Sequence, residues 1–143
     1  MHNVQPLDTT ALGKRFSRFG YAFVPLVTDE LRLTCAIEVL LLRPSPVGSV
    51  IQSGDLDNRL KTIFDALRLP NDGTELGRYT GPGPDEAPFF CLLQDDSMIS
   101  KATVETDVLL QPVSVPESVN DARVIVLIKI KPAILTAQNV VFA

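Results

Sequence analysis

An α+β fold is predicted by three stretches in which the spacing of apolar residues switches between two and about 3.6. Residues 31–42 alternate, with Leu31, Leu33, Cys35, Ile37, Val39 and Leu41 on one face and Arg32, Thr34 and Glu38 opposite, the pattern of a half-buried strand. In residues 55–69, Leu56, Leu60, Ile63, Phe64 and Leu67 fall at i, i+4, i+7, i+8 and i+11, the stripe of an amphipathic helix. Residues 123–131 are almost all β-branched or aliphatic and predict a central strand ended by Pro132. With shorter strand-like runs between them, these stretches predict a mixed, mainly antiparallel sheet of four to five strands, with one principal helix packed on one face.

The remaining elements follow in order. Residues 1–13 are polar and mixed, and a loose arm is expected there. Lys14-Arg15-Phe16-Ser17-Arg18-Phe19-Gly20-Tyr21 interleaves cations and aromatics, which suits either contact with nucleic acid or an amphipathic element covering the core. After the strand at 31–42, Arg43-Pro44-Ser45-Pro46 is a stiff breaker. The helix is stopped by Pro70 and Asn71-Asp72-Gly73. Residues 70–88 hold four Gly and four Pro, an irregular insertion that would serve as a flap or as a passive surface segment. Phe89-Phe90-Cys91-Leu92-Leu93 reads as a buried strand. Residues 99–110 alternate again, with Lys101, Thr103, Glu105 and Asp107 facing solvent. Residues 112–122 are a polar connection and 134–143 an apolar tail.

At 143 residues the chain fits a single domain, 1–143, long enough to bury a core. Trp is absent and aromatics are 6%, so that core is aliphatic. No apolar run approaches the ~18 residues that span a bilayer, and Met1-His2-Asn3-Val4-Gln5 lacks the pattern of a signal peptide, so a cytoplasmic location is expected. Cys35 and Cys91 lie in apolar runs and are expected to be free thiols. The single histidine, His2, leaves no room for His-based catalysis or a His-rich metal site.

Chemistry concentrates at the start of the predicted helix. Asp57, Lys61 and Asp65 share a stripe at i, i+4 and i+8, and Asp55 or the Ser53-Gly54 pair is placed to cap the helix. Alone, this is explained by capping and a solvated ion-pair ladder. A second acidic pair, Asp95-Asp96, closes the strand at 89–93. Adjacent aspartates at the end of a core strand repel each other unless a cation stands between them. Two such pairs match the oxygen donors that Mg²⁺ requires.

These residues resemble the signature of the RusA family of Holliday-junction resolvases. The first block is Asp55, Asp57, Asn58, Lys61, Asp65, Ala66 and Leu67, and the second is Asp95, Asp96, Ser97 and Ile99. The resemblance implies a small α+β homodimer, bacterial or phage-encoded, that resolves branched four-way DNA in recombination and repair with Mg²⁺, or Mn²⁺ in its place. Two departures stand out. The family tends to carry a basic run before its first aspartate, where this chain has Val47-Gly48-Ser49-Val50-Ile51-Gln52-Ser53, and its connection after the helix is shorter than 70–88.

For phosphodiester hydrolysis, Asp55, Asp57 and Asp96 are expected as metal ligands, with Asp95 an outer or alternate one. Lys61, one turn beyond Asp57, would stabilise developing charge or orient water. Asn58 would hold a ligand carboxylate or a phosphate, and Asp65 would position Lys61 or pair structurally. Lys14, Arg15, Arg18 and Arg59 are the expected DNA contacts. The net charge of −4 argues against a general nucleic-acid binder. Two alternatives therefore stand beside the resolvase: a metal nuclease of the same fold acting on another branched or single-stranded DNA, and a non-catalytic DNA-binding or assembly domain.

Overall fold

The computed structural model describes residues 8–43, 55–109 and 122–143, the side chain of Asp55 excepted. The segment 47–53 before the acidic helix, the expected Ser53-Gly54 cap and most of the 112–122 connection lie outside the described residues.

Where a loose arm is expected, Thr9–Arg15 form helix α1. The Asp8 carboxylate caps it, accepting from the N–H groups of Thr10 and Ala11 at 3.0 Å each. α1 lies close on strand β2 (Tyr21–Val27), and a Cβ added at Gly13 would stand 3.3 Å from that of Ala22. Strand β1 (Ser17–Arg18) turns into β2 through Phe19 and Gly20, with φ of 53° and 81°. Positive φ at both central residues is what a two-residue hairpin turn needs to follow the twist of its strands. Phe16 and Tyr21 are buried in a small core with Phe23 and Leu69, so the 14–21 segment does pack as a core-covering element.

The strands fall into two three-stranded sheets rather than one of four or five. In the first, β2 pairs antiparallel with β1 and parallel with β4 (Phe89–Leu93). In the second, β3 (Leu33–Arg43) lies between β5 (Ile99–Val108), parallel to it, and β6 (Arg123–Pro132), antiparallel to it. A parallel return needs a crossover, and it is supplied by helix α2 (Asp55–Leu67), the 70–88 segment and β4.

β3 behaves as its alternation predicts. Leu33, Cys35, Ile37, Val39 and Leu41 are all buried, and Leu56, Leu60, Ile63, Phe64 and Leu67 of α2 pack against that cluster. Full burial of a side chain such as Ile37 or Leu41 contributes about 1.5–3 kcal/mol. Leu31 and Arg32 instead sit in the turn that enters β3, where Arg32 N–H donates to Asp29 O and Leu33 N–H to Thr28 O. The central-strand reading of 123–131 is corrected. Among the described residues β6 pairs only with β3, and Val124, Ile125, Leu127 and Ile128 are exposed. The tail is anchored at its polar residue. Asn139 is fully buried, its amide donates to Leu31 O at 2.6 Å and Ile134 O at 2.9 Å, and its side-chain oxygen accepts from Thr136 N–H at 2.8 Å.

Candidate functional site

Helix α2 divides its residues as its sequence requires. The apolar stripe meets the β3 core, and Asp57, Asn58 and Lys61 are left exposed. Arg59 is half-buried, and the carbonyl of Asn58 accepts from Thr62 Oγ1 at 2.9 Å. The second acidic pair forms a 3₁₀ turn, Asp96–Met98, between β4 and β5. Asp95 caps it, with its carboxylate accepting from Ser97 N–H at 2.9 Å, and Asp96 is exposed. This turn packs beside both α2 and β3, so the two elements that carry the acidic blocks are neighbours.

The end of α2 is fixed by Arg68. Arg68, immediately after the helix, bridges Leu93 of β4 through its backbone. Its side chain is only 8% exposed. The guanidinium donates to Asp65 Oδ1 at 2.7 and 3.1 Å, to Leu69 O at 2.8 Å and to the Glu75 carboxylate at 3.3 and 3.4 Å. Burial pulls the Arg68 pKa down, but the hydrogen bonds to Asp65 and Glu75 outweigh it and leave the group above its ordinary value. Asp65 is therefore the structural partner of Arg68, the second of the two roles expected for it. The signal was available, since Arg68 stands at i+3 from Asp65 on the same helical stripe.

Asp95 belongs to the same neighbourhood. Its carboxyl is held below the ordinary range by hydrogen bonds from the Ser97 side chain and N–H, against burial, and Arg68 adds a further pull. Asp57 lies ten residues before the end of the helix, about 15 Å along its axis. Among the described residues, no group of three His, Cys, Asp or Glu side chains gathers as a metal cluster. The chemistry of the donors nevertheless fits a hard cation. Asp55, Asp57, Asn58, Asp95 and Asp96 offer only oxygen ligands and amide groups, while Cys35 is buried in the core.

The expected DNA contacts are distributed along α1, β1 and α2. Lys14 is exposed at the end of α1. Arg15 pairs with Glu30 and stacks over Phe16, 5.2 Å from the ring centroid. Arg18 donates to Pro70 O at 2.9 Å. Arg15 and Arg18 are thus engaged within the protein. Among the described residues, no helix is long and apolar enough to cross a membrane. In comparisons with protein-family models, curated proteins and solved structures, the chain matches none.

Proposed function

We propose that this chain is a RusA-like, Mg²⁺-dependent endodeoxyribonuclease that resolves four-way DNA junctions as a homodimer. One observation carries the reading. The solvent face of α2 bears Asp57, Asn58 and Lys61 at the signature spacing, and the Asp95-Asp96 turn packs beside that helix.

Asp55, Asp57 and Asp96 would hold the ion, with Mn²⁺ able to replace Mg²⁺. When bound, it supplies positive charge at the phosphoryl oxygens and acidifies a bound water. Asp95 already caps the turn through Ser97, which favours exposed Asp96 as the direct ligand and Asp95 as the outer one. Lys61 is one turn past Asp57, within reach of a phosphate bound there, and as an ammonium it stabilises charge without competing as a ligand. Asn58 can donate its side-chain amide to that phosphate. A cytoplasmic site of action, in a bacterium or its phage, follows from this reading. The exposed apolar residues Ile125 and Leu127 of β6 support a symmetric dimer, whose two-fold axis would match that of the junction.

A second reading is favoured by the net charge of −4 and by the engagement of Arg15 and Arg18 within the protein: the same chemistry on a flap or a single strand. The purified protein should be tested on end-labelled four-way, flap, duplex and single-stranded DNA, in Mg²⁺ and in EDTA. Paired, symmetric incisions in the junction, in Mg²⁺ only, are expected. Cleavage confined to flap or single strand would transfer the assignment to the second reading. No cleavage of any substrate in Mg²⁺ or Mn²⁺ would overturn both.

A further inference from the structure

We infer that Tyr79 and Arg78 form a stacking contact for an unpaired nucleic-acid base, presented by the 70–81 segment; the inference rests on the nuclease reading. The Gly- and Pro-rich composition of this segment predicts looseness, yet it is pinned along its length. Arg18 donates to Pro70 O at 2.9 Å, and Tyr21 Oη donates to Gly81 O at 2.8 Å. The Phe19 ring lies against Gly73, where an added Cβ would stand 3.6 Å from it. Glu75 accepts from Arg68 and from Asn71 N–H, at 3.2 Å for the latter. Asp72 caps the 3₁₀ turn Gly73–Leu76 through Thr74 N–H at 2.7 Å. The hairpin tip that supplies Phe19 keeps a non-glycine residue at φ 53°, a conformation that persists only where surroundings over-determine it.

Between these anchors the chain turns at Gly77, with φ of 60°, and projects Tyr79 outward. Tyr79 is 66% exposed, its backbone N–H is bonded to Leu76 O at 3.2 Å, and the Arg78 guanidinium stands 6.0 Å from its ring centroid. An aromatic face held on a fixed segment loses little conformational freedom when it meets a ligand. A nucleobase offers a matching π-face, and Arg78 offers charge for the phosphate beside it. Bases within a duplex are already stacked, so this contact selects bases unpaired at a branch or in a single strand. Glu75 accepts from Arg68, whose backbone bridges Leu93 just before the Asp95-Asp96 turn, and this puts the base of the segment on the side of the molecule where that turn lies.

The test compares full-length wild type, Tyr79→Ala and Tyr79→Trp in binding oligo(dT), duplex and a four-way junction carrying 2-aminopurine at its exchange point. Tyr79→Ala should bind oligo(dT) about ten- to a hundredfold more weakly and lose the 2-aminopurine quenching. Tyr79→Trp should retain both, duplex binding should be unchanged, and the circular dichroism spectra should coincide. Wild-type affinity in Tyr79→Ala, or no oligo(dT) binding by the wild type, would overturn the inference. If Tyr79 governs oligo(dT) binding but no DNA is cut, the nuclease reading fails alone. If junctions are cut and Tyr79→Ala binds and cuts like the wild type, the stacking contact fails alone.

Discussion

Replacing Arg68 with Met should destabilise the domain by about 2–4 kcal/mol. Methionine keeps much of the aliphatic volume, so the loss reports the guanidinium. That group is 8% exposed, and it leaves behind Asp65, 36% exposed, Glu75, 27% exposed, and the carbonyl of Leu69. A hydrogen bond to a charged group contributes about 1.5–3 kcal/mol, and breaking a fully buried ion pair costs about 3–5 kcal/mol. Water reaches both carboxylates, so the lower part of that range applies. For a chain of this size the loss corresponds to roughly 6–12 °C in Tm. Urea unfolding of wild type, Arg68→Met, Asp65→Asn, Glu75→Gln and the two double variants completes two mutant cycles. Each cycle should show a coupling of about 1 kcal/mol or more that survives 0.5 M salt. A loss below about 0.5 kcal/mol, or additive cycles, would refute the view that Arg68 ties α2, the 70–81 segment and β4 together.

Other outcomes follow from the same geometry. Asn139→Ala removes a buried amide that bonds the Leu31 and Ile134 carbonyls and should cost about 1–3 kcal/mol in urea unfolding; a change under 0.5 kcal/mol would show the tail to be passive. Burial raises the thiol pKa of Cys35 and pushes that of Cys91 up to about 11, so neither should react readily with a disulfide reagent at pH 8 until the chain unfolds. Asp95 has a folded pKa below its unfolded one, so it contributes stability above the ordinary aspartate range that is lost as pH falls through the folded value. In EDTA, the stability gap between wild type and Asp95→Asn should therefore be present at pH 6 and close under strong acid; a gap independent of pH would contradict this. Lys61→Ala should lower cleavage about 10²–10³-fold with folding intact, whereas wild-type turnover would reduce Lys61 to a solvated helix residue.

The parts of the fold that were legible in the sequence are those where one period acts alone. The buried side of β3 follows a strict alternation, and the α2 stripe of Leu56, Leu60, Ile63, Phe64 and Leu67 meets it as expected. β2 escaped because its burial does not alternate and because Pro25 lies inside it. β6 was misplaced because a β-branched run describes a pleated surface without saying whether a neighbour covers it. At the site, spacing puts Asp57, Lys61 and Asp65 on one stripe; Asp57 and Lys61 are exposed, whereas Asp65 is half-buried against Arg68. Arg68 is only half legible: its i+3 spacing from Asp65 is a local signal, but its ties to Glu75 and Leu93 are made by tertiary folding.

Mn²⁺ binding followed by electron paramagnetic resonance tests the central claim most directly, because free and bound ion give separable signals. If the start of α2 and the Asp95-Asp96 turn share one ion, the wild type should bind Mn²⁺ with Mg²⁺ as competitor. Asp57→Asn and Asp96→Asn should then each remove that binding while the protein stays folded. Undiminished Mn²⁺ binding in either variant would mean that the two acidic blocks do not form one site.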